Sequence, residues 1–288
     1  MTPNDSGGVA VAGAGGDTLS RHEAQLYEVL STLDSIVVAY SGGVDSAYLA
    51  WAANRARPGQ VLAITADSPS YPRRHREIAE AIARDFRLPH EFINTAELDR
   101  PEYRANPANR CYYCKTELYE HLSVLARERG FAVVVDGSNA DDRGDYRPGR
   151  QAAREFGVRS PLDEAGLTKP EIRELARRAG LPIWDEPASA CLSSRIPYQS
   201  EVTEGKLAMI EQAEEAVRAL GFRVFRVRHH DTLARLEIAR DEMARALDPS
   251  VNQALVAGVK AAGYQYVSLD LQGYRTGSLN EVLRLRPI

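Results

Sequence analysis

The sequence has only three cysteines in 288 residues, and its charges nearly cancel, with 36 Lys and Arg against 40 Asp and Glu. Three cysteines exclude a small disulfide-stapled domain. No apolar run approaches the roughly 18 residues of a membrane span, so we expect no membrane partner. The net charge of −4 provides no overall basic field, which argues against nucleic acid as a partner. An odd number of cysteines without a secretory signal favours the reducing cytoplasm.

The remaining composition is that of a globular protein, with 44% hydrophobic and 26% charged residues. Residues 1–18 begin with a small, Gly-rich stretch that predicts a disordered tail. From 19 to 198, short β-branched runs alternate with helical stretches, which predicts an α/β domain with a doubly wound parallel sheet. From 199 to 288, the order helix, strand, strand, helix, strand predicts a smaller α+β domain for substrate binding or oligomerisation.

The most informative motif is Ser41-Gly-Gly-Val-Asp-Ser46, which we call the phosphate loop. It lies between a β-branched run at 35–40, which predicts a buried strand, and a helical stretch at 47–57. A Gly pair in an ordinary strand–helix turn is the alternative interpretation. No Lys follows in the pattern of a loop that transfers a γ-phosphate, so that class of enzyme is not favoured.

Each residue type in the phosphate loop suits a polyphosphate. Gly42 and Gly43 let the backbone approach a polyanion, and the helix N-terminus supplies amide donors and a positive dipole end. Ser41 and Ser46 add hydroxyls. The Asp45 carboxylate would repel phosphate unless a cation neutralised it, which indicates Mg²⁺ between Asp45 and pyrophosphate.

The phosphate loop resembles the PP-loop of ATP pyrophosphatases. This resemblance implies cleavage of ATP to AMP and pyrophosphate, with an adenylated substrate as the intermediate. Two other segments end predicted strands, Thr65-Ala-Asp67 and Asp136-Gly-Ser-Asn139. Because ligands of such sheets bind at the carboxyl ends of the strands, we expect Thr65 and Gly137 to border the nucleotide.

The cysteines form a pair and a single residue. Cys111-Tyr-Tyr-Cys114 opens a predicted helix, where thiol pKa values are lowered, and such a pair serves as a redox couple, half of a zinc site, or two ligands of an iron–sulfur cluster. Cys191 lies among small residues and near Arg195, which would favour a thiolate. A buried, inert cysteine is the alternative for Cys191.

Several segments narrow the resemblance to the LarE family, the sulfur transferases that build the nickel-pincer nucleotide cofactor of lactate racemase. With the phosphate loop, they are Pro187–Tyr198, Asp145–Gly149, Val224–Arg228, Glu237 and Asp270–Gly277. The resemblance implies that ATP adenylates a carboxylate of pyridinium-3,5-biscarboxylic acid mononucleotide. A Cys thiolate then displaces AMP, and its sulfur stays on the substrate. The family also suggests a homo-oligomer.

The resemblance implies two routes for the sulfur. In family members with one such Cys, that residue gives up its sulfur and becomes dehydroalanine, and Cys191 matches its position. The additional Cys111 and Cys114 make this sequence similar to members in which three Cys hold a 4Fe–4S cluster, with one iron open for a transferable sulfide. A zinc site completed by a His, and unrelated thiols, are the alternatives.

Two arginines of the second domain are candidates for substrate binding. Arg226 and Arg228 alternate along a predicted strand and share one face, where two guanidiniums would bind a phosphate. A solvated outer face is the alternative, but the resemblance favours the phosphate of the substrate. Arg223 is out of phase and predicted at the surface, and Glu214 is predicted on a solvated helix face.

Two other classes of PP-loop enzyme stay open. A tRNA-thiolating enzyme would also use a C-x-x-C pair with a further Cys, but it needs a basic RNA-binding surface. An amidating synthetase that uses ammonia would not need Cys191. Binding of tRNA at moderate salt would favour the first class, and full activity without Cys191 would favour the second.

Overall fold

The computed structural model describes residues 14–144, 148–187 and 190–281. Residues 1–13 of the predicted tail lie outside the described residues, as do 145–147 and 188–189 of the segments that resemble the LarE family. The first helix begins at Ala14, inside the range that was predicted as tail.

The described residues form two sheets with surrounding helices. The strands are β1 (Ile36–Ala39), β2 (Val61–Asp67), β3 (His90–Asn94), β4 (Val133–Val135), β5 (Phe225–His230), β6 (Leu233–Ile238) and β7 (Tyr266–Leu269). The α-helices are α1 (Ala14–Ser31), α2 (Val44–Ala56), α3 (Arg73–Asp85), α4 (Pro101–Arg104), α5 (Arg110–Arg129), α6 (Pro148–Glu155), α7 (Pro161–Glu164), α8 (Lys169–Arg178), α9 (Glu204–Ala219), α10 (Met243–Ala246) and α11 (Pro249–Ala261). Short 3-10 helices span Glu97–Asp99, Ala140–Gly144, Pro182–Asp185, Leu192–Arg195 and Ser278–Asn280. None of the helices in the described ranges combines the length and apolar character needed to span a bilayer.

The first sheet is parallel, with the strand order β3-β2-β1-β4. Ile36 pairs with Val61 on one side and with Val133 on the other. Ile36 and Val38 pack into the core cluster that contains α2 and α8, whereas Val37 packs into the cluster that contains α5. Helices therefore cover both faces of β1, because side chains alternate along a strand. This confirms the predicted α/β fold with a parallel sheet.

The strand order places a ligand crevice between β1 and β4. The chain adds β2 and β3 on one side of β1, and then crosses to add β4 on the other side. At such a switch point, the loops after the two strands diverge and leave a crevice at their carboxyl ends. The phosphate loop follows β1, and Gly137 follows β4, so both predicted nucleotide-binding segments border this crevice.

The second sheet has the order β5-β6-β7, with β5 and β6 antiparallel and β6 and β7 parallel. It has its own hydrophobic core, in which Phe225 and Val227 of β5 pack with Val217 of α9 and Val259 of α11. A separate small α+β unit near the C-terminus was predicted, and this sheet agrees with it.

A further apolar cluster connects the two sheet regions. Its buried members come from α4, from the chain between 190 and 200, which we call the Cys191 segment, from position 202 and from α9. They are Tyr103, Leu192, Ile196, Val202, Leu207 and Ile210, with Cys114 packed against them. The cysteine-bearing parts of the chain therefore lie at the junction of the two regions.

Candidate active site

The phosphate loop packs so closely on α3 that there is no room for a side chain at Gly42. Gly42 has φ +69°, a conformation that favours glycine, and a Cβ atom there would lie 3.0 Å from Ala79 Cβ and 3.2 Å from the His75 carbonyl oxygen. The loop is also closed by its own hydroxyls. Ser46 Oγ accepts from the Ser41 amide at 3.1 Å and donates to the Gly43 carbonyl at 3.1 Å.

The loop after β4 contacts the phosphate loop directly, as the switch point requires. A Cβ atom on Gly137 would lie 3.0 Å from the Ser46 backbone nitrogen, so only glycine allows this approach. The preceding Asp136 is fixed by hydrogen bonds from Tyr119 Oη at 2.8 Å and Ser160 Oγ at 2.7 Å. The structure therefore brings Gly137, which was predicted to border the nucleotide, against the phosphate loop.

Asp45 carries a half-buried carboxylate, of which only one oxygen has a partner. Its Oδ2 atom lies 3.2 Å from Lys169 Nζ, while its buried Oδ1 atom has no hydrogen-bond partner among the described residues. Burial raises the pKa of Asp45, Lys169 opposes that shift, and the charge of Asp142 adds to it. An orphaned carboxylate oxygen at the mouth of a phosphate loop fits the predicted Mg²⁺ ligand.

Lys169 was not predicted as a site residue. It is the first residue of α8, and Thr168 and Glu171 form a capping box there that fixes the start of the helix. The Lys169 backbone amide also donates to Asp141 Oδ2 at 2.8 Å. The capping signal in the sequence locates this helix start, but only the fold shows that it faces Asp45.

The Thr65 side chain is bonded within the sheet. Its hydroxyl donates to the Tyr40 carbonyl at 2.7 Å and lies 2.9 Å from His90 Nε2, and the residue is 1% exposed. The hydroxyl therefore links the ends of β1 and β2. That Thr65 borders the nucleotide stays a prediction.

The structure brings the cysteines to the junction, but in different environments. Cys111 is exposed in the first turn of α5, and Cys114 packs against the junction cluster. Burial raises the pKa of Cys114, and the charges of Glu97 and Cys191 raise it further. The expectation of a lowered pKa is wrong for Cys114, because desolvation outweighs the helix N-terminus. Among the described residues, no group of three His, Cys, Asp or Glu side chains is arranged to hold a metal ion.

A buried ion pair holds the Cys191 segment on the second region. Arg195 donates to both carboxylate oxygens of Glu214, from Nε at 2.8 Å and from Nη2 at 2.9 Å. Its Nη1 atom donates to the carbonyls of Ala190, at 2.7 Å, and Cys191, at 3.0 Å. The predicted solvated position of Glu214 is wrong. Its carboxylate is buried because it pairs with Arg195 and also accepts from the Val227 amide at 3.1 Å.

Arg226 and Arg228 face the Cys191 segment. Both are buried, at 9% and 6% exposure, so the alternative of a solvated face is wrong. Arg228 donates to the Ser194 carbonyl at 3.0 Å and to Glu237 Oε2 at 2.7 Å. Burial, together with the charge of Arg195, lowers the pKa of Arg226 to about 10, so that residue stays charged at neutral pH.

We expect Glu214→Gln to lower the free energy of unfolding at pH 7 by about 3–5 kcal/mol, since it leaves a buried guanidinium without its counter-charge. Although burial raises the pKa of Glu214, Arg195 lowers it below the ordinary 4.5 overall. The ionised carboxylate therefore stabilises the fold above about pH 4.5, and this stabilisation is lost as the pH falls through the lowered pKa. Urea unfolding at pH 7 and at successively lower pH measures it.

The matched control for this prediction is Glu215→Gln, on the exposed side of the same helix. It should change the free energy of unfolding by no more than about 0.5 kcal/mol. Equal losses for the two variants, or a Glu214→Gln deficit that stays constant with pH, would contradict the role of the ion pair.

Comparison with known proteins supports one family. No family model matches the chain. A Synechocystis protein of uncharacterised function is 44% identical over 258 residues, which cover 90% of this chain and 96% of the relative. The pyridinium-3,5-bisthiocarboxylic acid mononucleotide synthase of Lactiplantibacillus plantarum is 34% identical over 269 residues, which cover 92% of this chain and 96% of the synthase.

A more distant relative is a probable tRNA sulfurtransferase of Methanothermobacter thermautotrophicus. It is 26% identical over 64% of this chain and 50% of the relative. The match to the synthase spans both sheets, and it confirms the resemblance that the motifs indicated. The four-stranded parallel sheet with its phosphate loop is consistent with that family. The chain therefore belongs to the LarE family of ATP-dependent sulfur-transferring enzymes.

Proposed function

We propose that this enzyme uses ATP to adenylate the carboxylates of pyridinium-3,5-biscarboxylic acid mononucleotide and converts them to thiocarboxylates. The observation that supports this proposal is that the Cys191 segment forms hydrogen bonds with both regions of the molecule. The Leu192 amide donates to the Ser70 carbonyl at 2.9 Å in the sheet region. The Ser194 carbonyl accepts from Arg228 of β5 at 3.0 Å. A cysteine on a segment that is bonded to both regions suits sulfur transfer to an activated nucleotide.

In the first step, the phosphate loop binds the polyphosphate of ATP through its amides and the N-terminus of α2. Asp45 would hold Mg²⁺ through its unpartnered Oδ1 atom, and the ion would neutralise the developing charge on pyrophosphate. Lys169, now paired with Asp45, supplies a second positive charge beside that position. The substrate carboxylate attacks the α-phosphorus, its oxygen bonds to phosphorus, and pyrophosphate leaves.

In the second step, the Cys191 thiolate attacks the acyl carbon of the adenylate. A carbon–sulfur bond forms, the carbon–oxygen bond to AMP breaks, and AMP leaves with the electron pair. In the sacrificial route, the Cα proton of Cys191 is then removed and its Cβ–S bond breaks. The thiocarboxylate leaves with the sulfur, and residue 191 becomes dehydroalanine.

The second route that we propose involves a 4Fe–4S cluster held by Cys111, Cys114 and Cys191. The donor set fits in kind, because these are three thiols at one junction and the charges of Cys191 and Cys111 both act on Cys114. When bound, the cluster would supply an open iron for a transferable sulfide. In the described residues, the three thiols are not arranged as a metal-binding group, so ligation would require them to rearrange.

We propose that Arg226 and Arg228 bind the phosphate of the nucleotide substrate. They are buried beside the Cys191 segment, and the buried Nε atom of Arg228 has no partner among the described residues. The Tyr274 ring, 5.1 Å from the Arg226 guanidinium, would help to orient that side chain. A homo-oligomer and a location in the reducing cytoplasm, where the three cysteines would stay reduced, also belong to the proposal.

We expect Asp45→Asn to lower substrate-dependent pyrophosphate release by about a hundredfold or more, because it removes the charge that holds the cation while keeping the size of the side chain. The matched control is Asp34→Asn, because Asp34 is an exposed acid just before β1, the strand that the phosphate loop follows. The Asp34→Asn protein should release pyrophosphate at the wild-type rate. Circular dichroism checks the fold. A folded Asp45→Asn protein with wild-type release would refute the role of Asp45.

For the substrate phosphate, Arg226→Gln should weaken binding of the mononucleotide by roughly tenfold to a hundredfold, through loss of a charge-assisted hydrogen bond of about 1.5–3 kcal/mol. Binding of ATP should not change. Arg223→Gln is the control, because that arginine is 66% exposed and pairs with Asp185, as its predicted surface position requires. Calorimetric titration of each variant with the mononucleotide and with ATP measures the two affinities. A loss of ATP affinity alone in Arg226→Gln would show that Arg226 does not bind the substrate phosphate.

For the sulfur, Cys191→Ala should continue to release pyrophosphate but form no thiocarboxylate. If the cluster route operates, the anaerobically purified protein is brown, and replacement of any of the three cysteines by Ala bleaches it. Mass spectrometry after reaction gives the opposing outcome, in which a colourless protein transfers sulfur and Cys191 loses the mass of hydrogen sulfide. Sulfur transfer by Cys191→Ala would overturn both routes.

A further inference from the structure

One buried amide sets the path of the chain after Cys191. Asn106 is fully buried, and its Nδ2 atom donates to the carbonyls of Ile196 at 3.3 Å, Pro197 at 2.7 Å and Ser200 at 3.0 Å. Its backbone carbonyl accepts from the Gln199 amide at 2.9 Å. Asn106 has φ +54°, a left-handed conformation that asparagine tolerates better than most residues. The Cys191 segment is therefore tied to the turn that precedes α5.

Arg110 extends this connection to the cysteine pair. It is the first residue of α5 and immediately precedes Cys111. Its Nη1 atom donates to Asn106 Oδ1 and, at 3.0 Å, to the Ser193 carbonyl. Ser193 is two residues beyond Cys191, so one guanidinium connects the two segments that carry the thiols.

The charge of Arg110 is unusual for a buried arginine. The residue is 5% exposed, yet within the described ranges no carboxylate forms an ion pair with it, whereas the buried Arg195 and Arg228 pair with Glu214 and Glu237. An uncompensated buried charge costs several kcal/mol. Burial lowers the pKa of Arg110, but the negative charges that Cys191 and Cys111 would carry raise it overall. Tyr103 and Tyr198 act on the pKa of Arg110 in the same direction as the two thiols.

We propose that Asn106 and Arg110 are positioning residues that hold the Cys191 segment against the Cys111–Cys114 turn, through the hydrogen bonds that they donate to backbone carbonyls of that segment. The proposal rests on the proposed function, in which sulfur leaves from these cysteines. It predicts that the pair governs how well adenylation is coupled to sulfur transfer, and not adenylation itself, because the phosphate loop lies on β1 and is not bonded to either residue.

The test compares Asn106→Gly and Arg110→Met with wild type. Glycine keeps the left-handed backbone and removes the amide, and methionine keeps the apolar stem and removes the charge. Arg104→Met is the control, because Arg104 also connects to this part of the chain, through Glu201, but in an exposed ion pair. Two quantities are measured: the thiocarboxylate formed per pyrophosphate released, and the yield of a short bismaleimide cross-link from Cys191 to Cys111 or Cys114 in metal-free full-length protein.

We expect Asn106→Gly and Arg110→Met to lower both quantities by about tenfold, which is less than the roughly hundredfold loss that a 1 Å misplacement of a reacting group can cause, with pyrophosphate release within about twofold of wild type. Arg110→Lys, which keeps the charge, should recover part of the coupling, and it replaces Arg110→Met if that variant does not fold. Folded variants that match Arg104→Met in both measurements would overturn the proposal. If wild type forms no thiocarboxylate, the proposed function fails, and the cross-link alone decides on the positioning.

Discussion

The buried ion pair between Arg195 and Glu214 is the constraint on which the junction depends. The Glu214 carboxylate accepts two hydrogen bonds from the Arg195 guanidinium and one from the Val227 amide. It therefore joins the Cys191 segment, α9 and β5 at a single point. Loss of either partner would leave an unpaired buried charge, which costs more than the pair contributes. This contact fixes the position of the Cys191 segment relative to the strand that carries Arg226 and Arg228.

A short loop after β2 connects the phosphate loop with the Cys191 segment. Tyr71 Oη donates to the Ser41 carbonyl in the phosphate loop at 3.0 Å. The neighbouring Ser70 carbonyl accepts from the Leu192 amide at 2.9 Å. The loop thus contacts both the phosphate loop and the residue after Cys191. In the proposed reaction, this arrangement keeps the thiol near the acyl-adenylate while the first step proceeds.

The junction is rich in positively charged side chains, although the whole chain is slightly acidic. The protein has a net charge of −4, yet four buried arginines lie in or beside the Cys191 segment: Arg110, Arg195, Arg226 and Arg228. Arg195 and Arg228 have carboxylate partners. Arg195 bonds the segment to α9 through Glu214, and Arg228 of β5 donates to the Ser194 carbonyl. We propose that Arg226 and Arg228 bind the substrate phosphate and that Arg110 positions the Cys191 segment. Net charge is a poor guide to such a site because buried pairs cancel in the total.

The sequence by itself determined the local structure, since periodicity and capping act over a few residues: the strand before Gly42, the helix that begins beside Cys111, and the shared face of Arg226 and Arg228. It also carried the family resemblance. Only the tertiary structure decided which side chains meet across long separations. It buried Glu214 against Arg195, kept the Thr65 hydroxyl inside the sheet, and placed Lys169 3.2 Å from Asp45. These outcomes depend on desolvation and on partners from distant segments, which no local pattern encodes.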